Sequence, residues 1–283
     1  LPNTGEMIGT VTETQWFLAL CAFLLILAKP PDSLGRKIFD IALLLLSGFT
    51  GPFCFVLLLI AVTLPKAATG RWRRVVTGIF LAGSTVQLCE LILNHSHRYS
   101  LALGATPQLF IQILGSQVYF GTLLGSNVLA SMLPLKVVLV AIIAGSLIVA
   151  CGGILSPVMR RFILLTAILF LAALASPTTA QFPGKSAWQL LARSPGARYW
   201  FLPTLTFAWS IAFCLQSKKQ LLRIAAFPLA VVMLFGIVRN YRCPAFADTQ
   251  FAQNVAHFQT LPKGSKQSIQ VTPAEWKMVL IKR

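Results

Sequence analysis

A carboxylate and two histidines stand close together at the end of one apolar run. The stretch VQLCELILNHSHRYS, residues 86–100, contains Glu90, His95 and His97. A carboxylate in apolar surroundings is costly unless it is paired or has a chemical role. Glu90 is therefore a candidate general base or ligand of a divalent metal, joined by the two histidines. Residues two apart lie on different helix faces, so a metal site would require an extended loop there. The alternative is a structural carboxylate that snorkels to the membrane interface or pairs with Arg98.

A second candidate group precedes another apolar run. Arg198 and Tyr199 open the sequence RYWFLP. A guanidinium can bind a phosphate through two parallel hydrogen bonds, so this pair is a candidate phosphate-binding site. The alternative is an anchor at a membrane interface, where a cation beside aromatic residues such as Trp200 is typical. Lys185 and Arg193 are weaker candidates of the same kind.

The composition requires a membrane for most of the chain. Apolar residues make up 56% of the 283 and charged residues only 11%, whereas about a quarter of a soluble protein is charged. The net charge of +17 comes largely from cations between apolar runs, where they set topology and meet anionic lipid. The sequence has no basic stripe with interleaved aromatic residues, which is the pattern typical of nucleic-acid binding. The 6 cysteines are scattered, and the sequence has no P-loop, GxSxG, HExxH or dinucleotide fingerprint, which argues against the common soluble enzyme classes.

Apolar runs that can cross a bilayer alternate with basic linkers. The candidate runs are residues 14–28, 38–64, 75–93, 134–151, 162–176, 200–216 and 222–238. Cations concentrate in the linkers 29–37, 65–74, 156–161 and 217–223. Their excess predicts that these linkers are cytoplasmic. We therefore expect an all-α, polytopic transmembrane bundle in residues 1–238. Residues 239–283 are expected to form a small extracytoplasmic tail, with a short strand at Trp276 and Met278.

The run 38–64 contains the sequence SGFTGPF at its centre. Because the linkers on both sides of this run are basic, both should be cytoplasmic and an even number of crossings should separate them. This favours a hairpin with arms at about residues 39–48 and 52–64, which gives about eight crossings in all. The alternative is a single span kinked at glycine and proline. Thr50 and Gly51, at the hairpin tip, are candidate binding residues.

Other polar residues are expected to be structural. In segment 107–130 they recur at helical spacing, at Gln108, Gln112, Ser116, Tyr119, Thr122 and Ser126. We expect an interfacial helix on the outer surface, the alternative being a helix that lines a wet cleft. Glu6 and Glu13 are expected to be solvated loop residues, although they could line a cleft at the outer face. Asp40 is expected at the start of its helix, where an acid interacts favourably with the helix dipole.

Several short motifs resemble those of a family of uncharacterised bacterial polytopic membrane proteins. They are VTETQWFLA (11–19), LLLLSGFTGPF (43–53), RYWFLP (198–203) and VTPAEWKMVLIKR (271–283). The layout is also similar to that of GT-C glycosyltransferases, in which a pair of short helices meets at an outer tip beside the active site. This sequence departs from that pattern because its tip has no Lys and because the helices that would carry the catalytic Asp are absent. We therefore expect it to be the C-terminal portion of a longer chain.

The resemblance implies transfer of a sugar from a polyprenyl-phosphate donor at the outer face of the bacterial inner membrane. It implies membrane lipid and a polyprenyl-phosphate-linked sugar as partners. One alternative is a transporter or flippase for a lipid-linked saccharide, which would need a polar path through the bilayer. The runs 134–151 and 162–176 are almost wholly apolar, which argues against such a path. The other alternative is a non-catalytic scaffold subunit of a membrane assembly.

Overall fold

The protein is built mainly from helices, as the all-α prediction requires. The computed structural model describes residues 3–4, 13–63, 70–93, 102–125, 133–177, 184–194, 198–240, 248–271 and 276–283. The chain divides into two compact units, Leu1–Tyr241 and Arg242–Arg283, which are described separately. Among the described residues, 4 helices are long and apolar enough to cross a membrane.

The first unit combines these long helices with several shorter ones. In chain order they are α1 (Thr14–Leu27), α2 (Leu34–Phe49), α3 (Phe53–Val62), α4 (Arg71–Leu93), α5 (Pro107–Gln112), α6 (Gly121–Leu124), α7 (Leu135–Leu155), α8 (Pro157–Ala175), α9 (Ala187–Ala192), α10 (Phe201–Leu215) and α11 (Gln220–Asn240). The candidate spans are α4, α7, α8 and α11. Their outer faces expose large apolar side chains such as Ile92, Val140, Ile154 and Leu221, whereas α10 is buried along most of its length. Apolar exposure on this scale suits lipid rather than water, so the protein is a membrane protein with α10 in the interior of its bundle.

The predicted break at SGFTGPF is present. Helix α2 ends at Phe49 and α3 begins at Phe53, so residues 50–52 form the connection. Pro52 stands directly before α3, where its missing N–H leaves no donor unpaired. The first arm is longer than predicted, because α2 begins at Leu34.

The longer first arm changes the position of Asp40. This residue lies beyond the first turn of α2, and its side chain is buried and 4.0 Å from the guanidinium of Arg36. The prediction that Asp40 stabilises the start of the helix is therefore wrong. Its carboxylate is placed instead to pair with a cation one turn earlier on the same helix.

The chain reverses direction between α2 and α3. The start of α3 packs on the start of α1, where the ring centroids of Trp16 and Phe53 are 4.8 Å apart, and the two helices continue side by side. At the other end of α3, Arg73 of α4 donates a hydrogen bond of 2.9 Å to the carbonyl of Val62. Helix α3 is therefore parallel to α1 and antiparallel to α4.

Chain length excludes the single kinked span. In a kinked span, the start of α2 would lie about 24 Å beyond the turn, and the end of α1 about 20 Å on the other side of it. Residues 28–33 connect these two points and can bridge only about 25 Å. Helix α2 must therefore return beside α1, and α2 and α3 form a hairpin.

Ring contacts place the predicted basic linkers at one end of the bundle. Phe17 and Phe201 lie 4.9 Å apart near the starts of α1 and α10. Further along, Phe162 near the start of α8 lies 5.3 Å from Phe23 of α1 and 4.6 Å from Trp209 of α10. Helices α1 and α10 thus run in the same direction and α8 runs against them. The ends of α1, α3 and α10 and the starts of α2, α4 and α8 share one end, which holds the described parts of the four basic linkers.

The segment 113–124 is largely buried rather than interfacial, whereas α5 before it has no buried residue. Helices α5 and α6 are joined by a π-helix, Ile113–Phe120, and this stretch packs against α7, α10 and α11. A π-helix bonds each residue to the fifth along, so it shifts the side chains off the 3.6-residue period. Gln117 is therefore buried as well as Tyr119, although only Tyr119 belongs to the predicted polar face. The prediction of a surface helix is wrong for this part of the segment.

The second unit contains one helix and a two-stranded sheet. Helix α12 (Phe251–Thr260) precedes β1 (Lys266–Val271) and β2 (Trp276–Ile281). The strands are antiparallel, with Ile269 opposite Met278. The strand predicted at Trp276 and Met278 is therefore confirmed.

Two glycines of α4 provide a matched test of the packing between α2 and α4. A methyl group at Gly83 would collide with the carbonyl of Gly48, whose carbon would be only 2.9 Å away, whereas one at Gly78 meets no atom within 4 Å. Both Gly→Ala changes remove the same glycine flexibility, so their difference isolates the collision. We expect Gly83→Ala to lower the free energy of unfolding by about 1–3 kcal/mol and Gly78→Ala to leave it unchanged or raise it. Unfolding in a mixed-micelle titration would measure both, and equal effects would contradict the close crossing.

Candidate functional site

Two distant parts of the sequence meet at the end of the bundle opposite the basic linkers. Glu13 is the residue before α1, and Arg198 and Tyr199 lie in the short 3-10 turn before α10. Because α1 and α10 run in the same direction, their starts lie together. Glu13 makes no capping hydrogen bond to α1, so its carboxylate is available for other partners.

The carboxylate of Glu13 pairs with the guanidinium of Arg198. Arg198 Nη1 donates to Glu13 Oε1 at 2.9 Å, and the two side chains are 25% and 4% exposed, respectively. The Arg198 Cζ lies 5.2 Å from the centre of the Tyr199 ring. The prediction that Glu13 is a solvated loop residue is therefore wrong, because its carboxylate is buried in an ion pair. Glu6, for which the same prediction was made, lies outside the described residues.

Two polar atoms in this cluster are buried without a hydrogen-bond partner in the described structure. They are Oε2 of Glu13 and Nε1 of Trp16. The two residues are three apart at the start of α1, so they lie on one face of the helix. One atom is an acceptor and the other a donor. Leaving such groups unpaired costs about 1–3 kcal/mol each, so a donor that reached Oε2 or an acceptor that reached Nε1 would be stabilised.

The hairpin tip adjoins the same cluster. A Cβ on Gly51 would collide with the amide oxygen of Gln15, so the tip lies against this side chain at the start of α1. Thr50, the other tip residue predicted to bind, is exposed, and its hydroxyl donates a 2.7 Å hydrogen bond to the carbonyl of Leu46. Gln87 of α4 donates to the carbonyl of Phe49 at 3.1 Å. The tip is thus held by α1 on one side and by α4 on the other.

We call Glu13, Trp16, Arg198, Tyr199 and Gly51 the tip cluster. Three of its members, Arg198, Tyr199 and Gly51, were predicted from the sequence as binding residues. Its chemistry is that of one buried carboxylate, one partly exposed guanidinium and aromatic walls.

Glu90, the predicted catalytic residue, is not part of this cluster. It lies in the last turn of α4 and is exposed, and its predicted partners His95 and His97 lie outside the described residues. In the part of the chain that the structure describes, no group of three His, Cys, Asp or Glu side chains could hold a metal. The divalent metal therefore stays a prediction. Lys185 and Arg193 are exposed.

A second buried polar network was missed by the sequence analysis. Asn3 Nδ2 donates to the backbone carbonyl of Gln117 at 2.7 Å, and Gln117 Nε2 donates to the carbonyl of Ala192 at 2.8 Å. These bonds join the N-terminal region, the π-helix and α9. The only sequence signal was the polar character of segment 107–130, and its periodicity pointed to neighbouring positions instead of Gln117.

Removing either partner of the ion pair should lower the free energy of unfolding, but by different amounts. Arg198→Ala leaves Glu13 buried and uncompensated, so it should lower the free energy of unfolding by about 3–5 kcal/mol. Glu13→Ala should cost less, because Arg198 is 25% exposed and can reach water. The double variant should lose less than the sum of the two.

Arg36→Gln provides the comparison. Asp40 is about as buried as Glu13, at 6% and 4% exposed, but Arg36 is 52% exposed and lies 4.0 Å from its carboxylate, so we expect a smaller loss than for Arg198→Ala. The measurement is an unfolding titration of all four variants. Strictly additive losses from the two single variants would contradict a direct interaction between Glu13 and Arg198.

Comparison with known proteins finds no relative of this chain. No protein-family model, no curated protein and no solved structure matches the chain. Its function is therefore inferred from its own residues and from the physical chemistry of the tip cluster.

Proposed function

We propose that this membrane protein is a GT-C-like glycosyltransferase, or a portion of one, that transfers a sugar from a polyprenyl-phosphate donor. The reaction would take place at the outer face of a bacterial inner membrane. In this proposal the tip cluster receives the reacting groups, and the hairpin of α2 and α3 is the pair of short helices beside the site.

The observation that carries the proposal is the state of the Glu13 carboxylate. One oxygen accepts a hydrogen bond from Arg198, and the other is buried without a partner among the described residues. A general base needs an oriented carboxylate oxygen that no donor of the protein occupies. Because Oε2 is buried, the acceptor would have to enter the tip cluster to reach it. The partner Arg198 fixes the orientation of the carboxylate through this hydrogen bond.

Arg198 supports a second role in the same reaction. Its side chain is 25% exposed, so part of the guanidinium can reach a group that enters from outside. A cation next to the leaving phosphate would stabilise the negative charge that develops on it. Glu13 thus takes over the acid–base role that the sequence suggested for Glu90, while the phosphate-binding role of Arg198 and Tyr199 is kept.

The proposed orientation of the protein in the membrane rests on the distribution of its cations. The described parts of the four basic linkers share the end of the bundle opposite the tip cluster, and such linkers remain in the cytoplasm as a rule. Counting α1, α2, α3, α4, α7, α8, α10 and α11 as crossings would give about eight, with the chain after α11 on the outer side. Two of the short helices, α3 and α10, are buried along most of their length and need not match the full bilayer thickness, whereas α2 exposes apolar side chains such as Leu34 and Phe39.

The scaffold role is favoured by the same ion pair, since a buried pair also serves to lock two helices together.

A flippase receives less support. The hydroxyls buried between α8 and α10 are engaged locally, as the 2.8 Å hydrogen bond between Thr166 and Thr206 illustrates, and do not form an open polar path.

Turnover of a lipid-linked donor separates these roles. The full chain in nanodiscs would receive polyprenyl-phosphate-linked hexoses together with a panel of hydroxyl acceptors. In the proposed step the acceptor oxygen bonds to the sugar, its proton passes to Glu13 and polyprenyl phosphate leaves, so release of polyprenyl phosphate would be followed. We expect Glu13→Gln, which keeps the shape of the side chain, to lower the rate by about 10²–10⁴-fold. Asp32→Asn, a change at an exposed acid in the linker after α1, is the matched control and should leave the rate unchanged.

Thermal unfolding of both variants would show whether a lost rate reflects lost structure. Full activity of a folded Glu13→Gln variant would exclude the base role. Absence of turnover with every donor, with the ion pair still important for stability, would favour the scaffold.

A further inference from the structure

The two-stranded sheet of the second unit has two different faces. The side chain of Lys282 contacts the carbonyl of Gln259 on α12, and Ile269 of β1 is fully buried. Because side chains alternate along a strand, the face that holds Ile269 and Lys282 lies toward α12. The residues at alternate positions form the opposite face, which we call the ribbon face: Lys266, Ser268, Gln270, Lys277, Val279, Ile281 and Arg283.

The ribbon face combines cations with exposed apolar side chains. Val279 and Ile281 are 64% and 56% exposed, and the register places Ile281 opposite Lys266. Lys277 and Arg283 stand at either end of this apolar pair, and both are exposed. Among the residues of this face there are three cations and no acid.

We propose that the ribbon face docks on a membrane surface that contains anionic lipid. Basic residues beside apolar ones are the pattern of segments that lie at a membrane interface, where the cations meet the headgroups and the apolar side chains enter the acyl boundary. Branched apolar side chains this exposed are unfavourable in water when they form a patch. Only residues 241–247 separate the described part of this unit from the candidate span α11, so a bilayer is the surface nearest along the chain.

A protein partner is less well suited to this face. The exposed apolar area is small, consisting of two side chains, and it is surrounded by charge of one sign. Protein interfaces instead concentrate aromatic residues at a core from which charged residues are depleted. Anionic headgroups complement the charge wherever the cations lie on the face. The inference is independent of the proposed transferase activity.

An environment-sensitive fluorophore on the full chain tests the docking. It would be attached to Val279→Cys in a cysteine-free background, and the protein placed in nanodiscs of phosphatidylcholine alone or mixed with phosphatidylglycerol. We expect a blue shift of the emission that grows with phosphatidylglycerol and is reversed by high salt, because screening weakens surface charge interactions. The same fluorophore at Gln253→Cys, an exposed position of α12, should not shift.

Charge removal supplies the decisive comparison. Lys266→Gln, Lys277→Gln and Arg283→Gln should each reduce the ratio of docked to undocked protein about fivefold, the effect expected of one basic residue near an anionic surface. A shift that is absent with phosphatidylglycerol would overturn the proposal. A shift that is equal in neutral lipid, or unchanged when all three substitutions are combined in one variant, would also overturn it and point to packing on protein.

Discussion

A buried ion pair ties the two halves of the membrane bundle together at one end. Glu13 and Arg198 lie 185 positions apart in the chain, and their hydrogen bond of 2.9 Å joins the start of α1 to the start of α10. Separating two charges in a low-dielectric interior is expensive, and leaving one of them alone is more so. The pair therefore requires α1 and α10 to start at the same level, and through α1 it also determines where the hairpin tip can lie.

Small residues also shape the packing at the hairpin tip. Gly51 allows the tip backbone to lie on Gln15, and Gly83 allows α4 to cross close to Gly48. In a membrane, helices associate through close packing of this kind because lipid supplies no hydrophobic drive between them. The result is a short connection in which Gly51 is buried, whereas Thr50 and Pro52 are exposed. Non-helical backbone of this kind needs protein or water around it rather than lipid.

Features of local sequence were predictable, whereas features that depend on distant partners were not. The all-α membrane character follows from composition, and the break at SGFTGPF follows from its glycines and proline and from the basic linkers around it. Glu13 was expected to be solvated because nothing near it in the sequence neutralises it.

Local irregularity limited the rest of the prediction. The segment 113–124 was misplaced because a helical period of 3.6 residues was assumed, and the π-helix Ile113–Phe120 breaks that period. The start of α2 was placed too late, because Leu34 to Lys37 carry too much charge to resemble a membrane helix. Arg198, Tyr199 and Gly51 could be selected from residue type and position alone, but their assembly into one cluster required the fold.

The position of the hairpin tip across the membrane can be measured directly by labelling both ends of α2. Thr50→Cys and Gly35→Cys, each in a cysteine-free background, place one thiol at either end of this helix, about 22 Å apart. Both positions are exposed, and Gly35 has no atom within 4 Å of an added Cβ. A membrane-impermeant maleimide added to intact spheroplasts should label the cysteine at position 50 and should reach the one at position 35 only after lysis. Labelling of position 35 alone would place the tip cluster in the cytoplasm and contradict a reaction at the outer face.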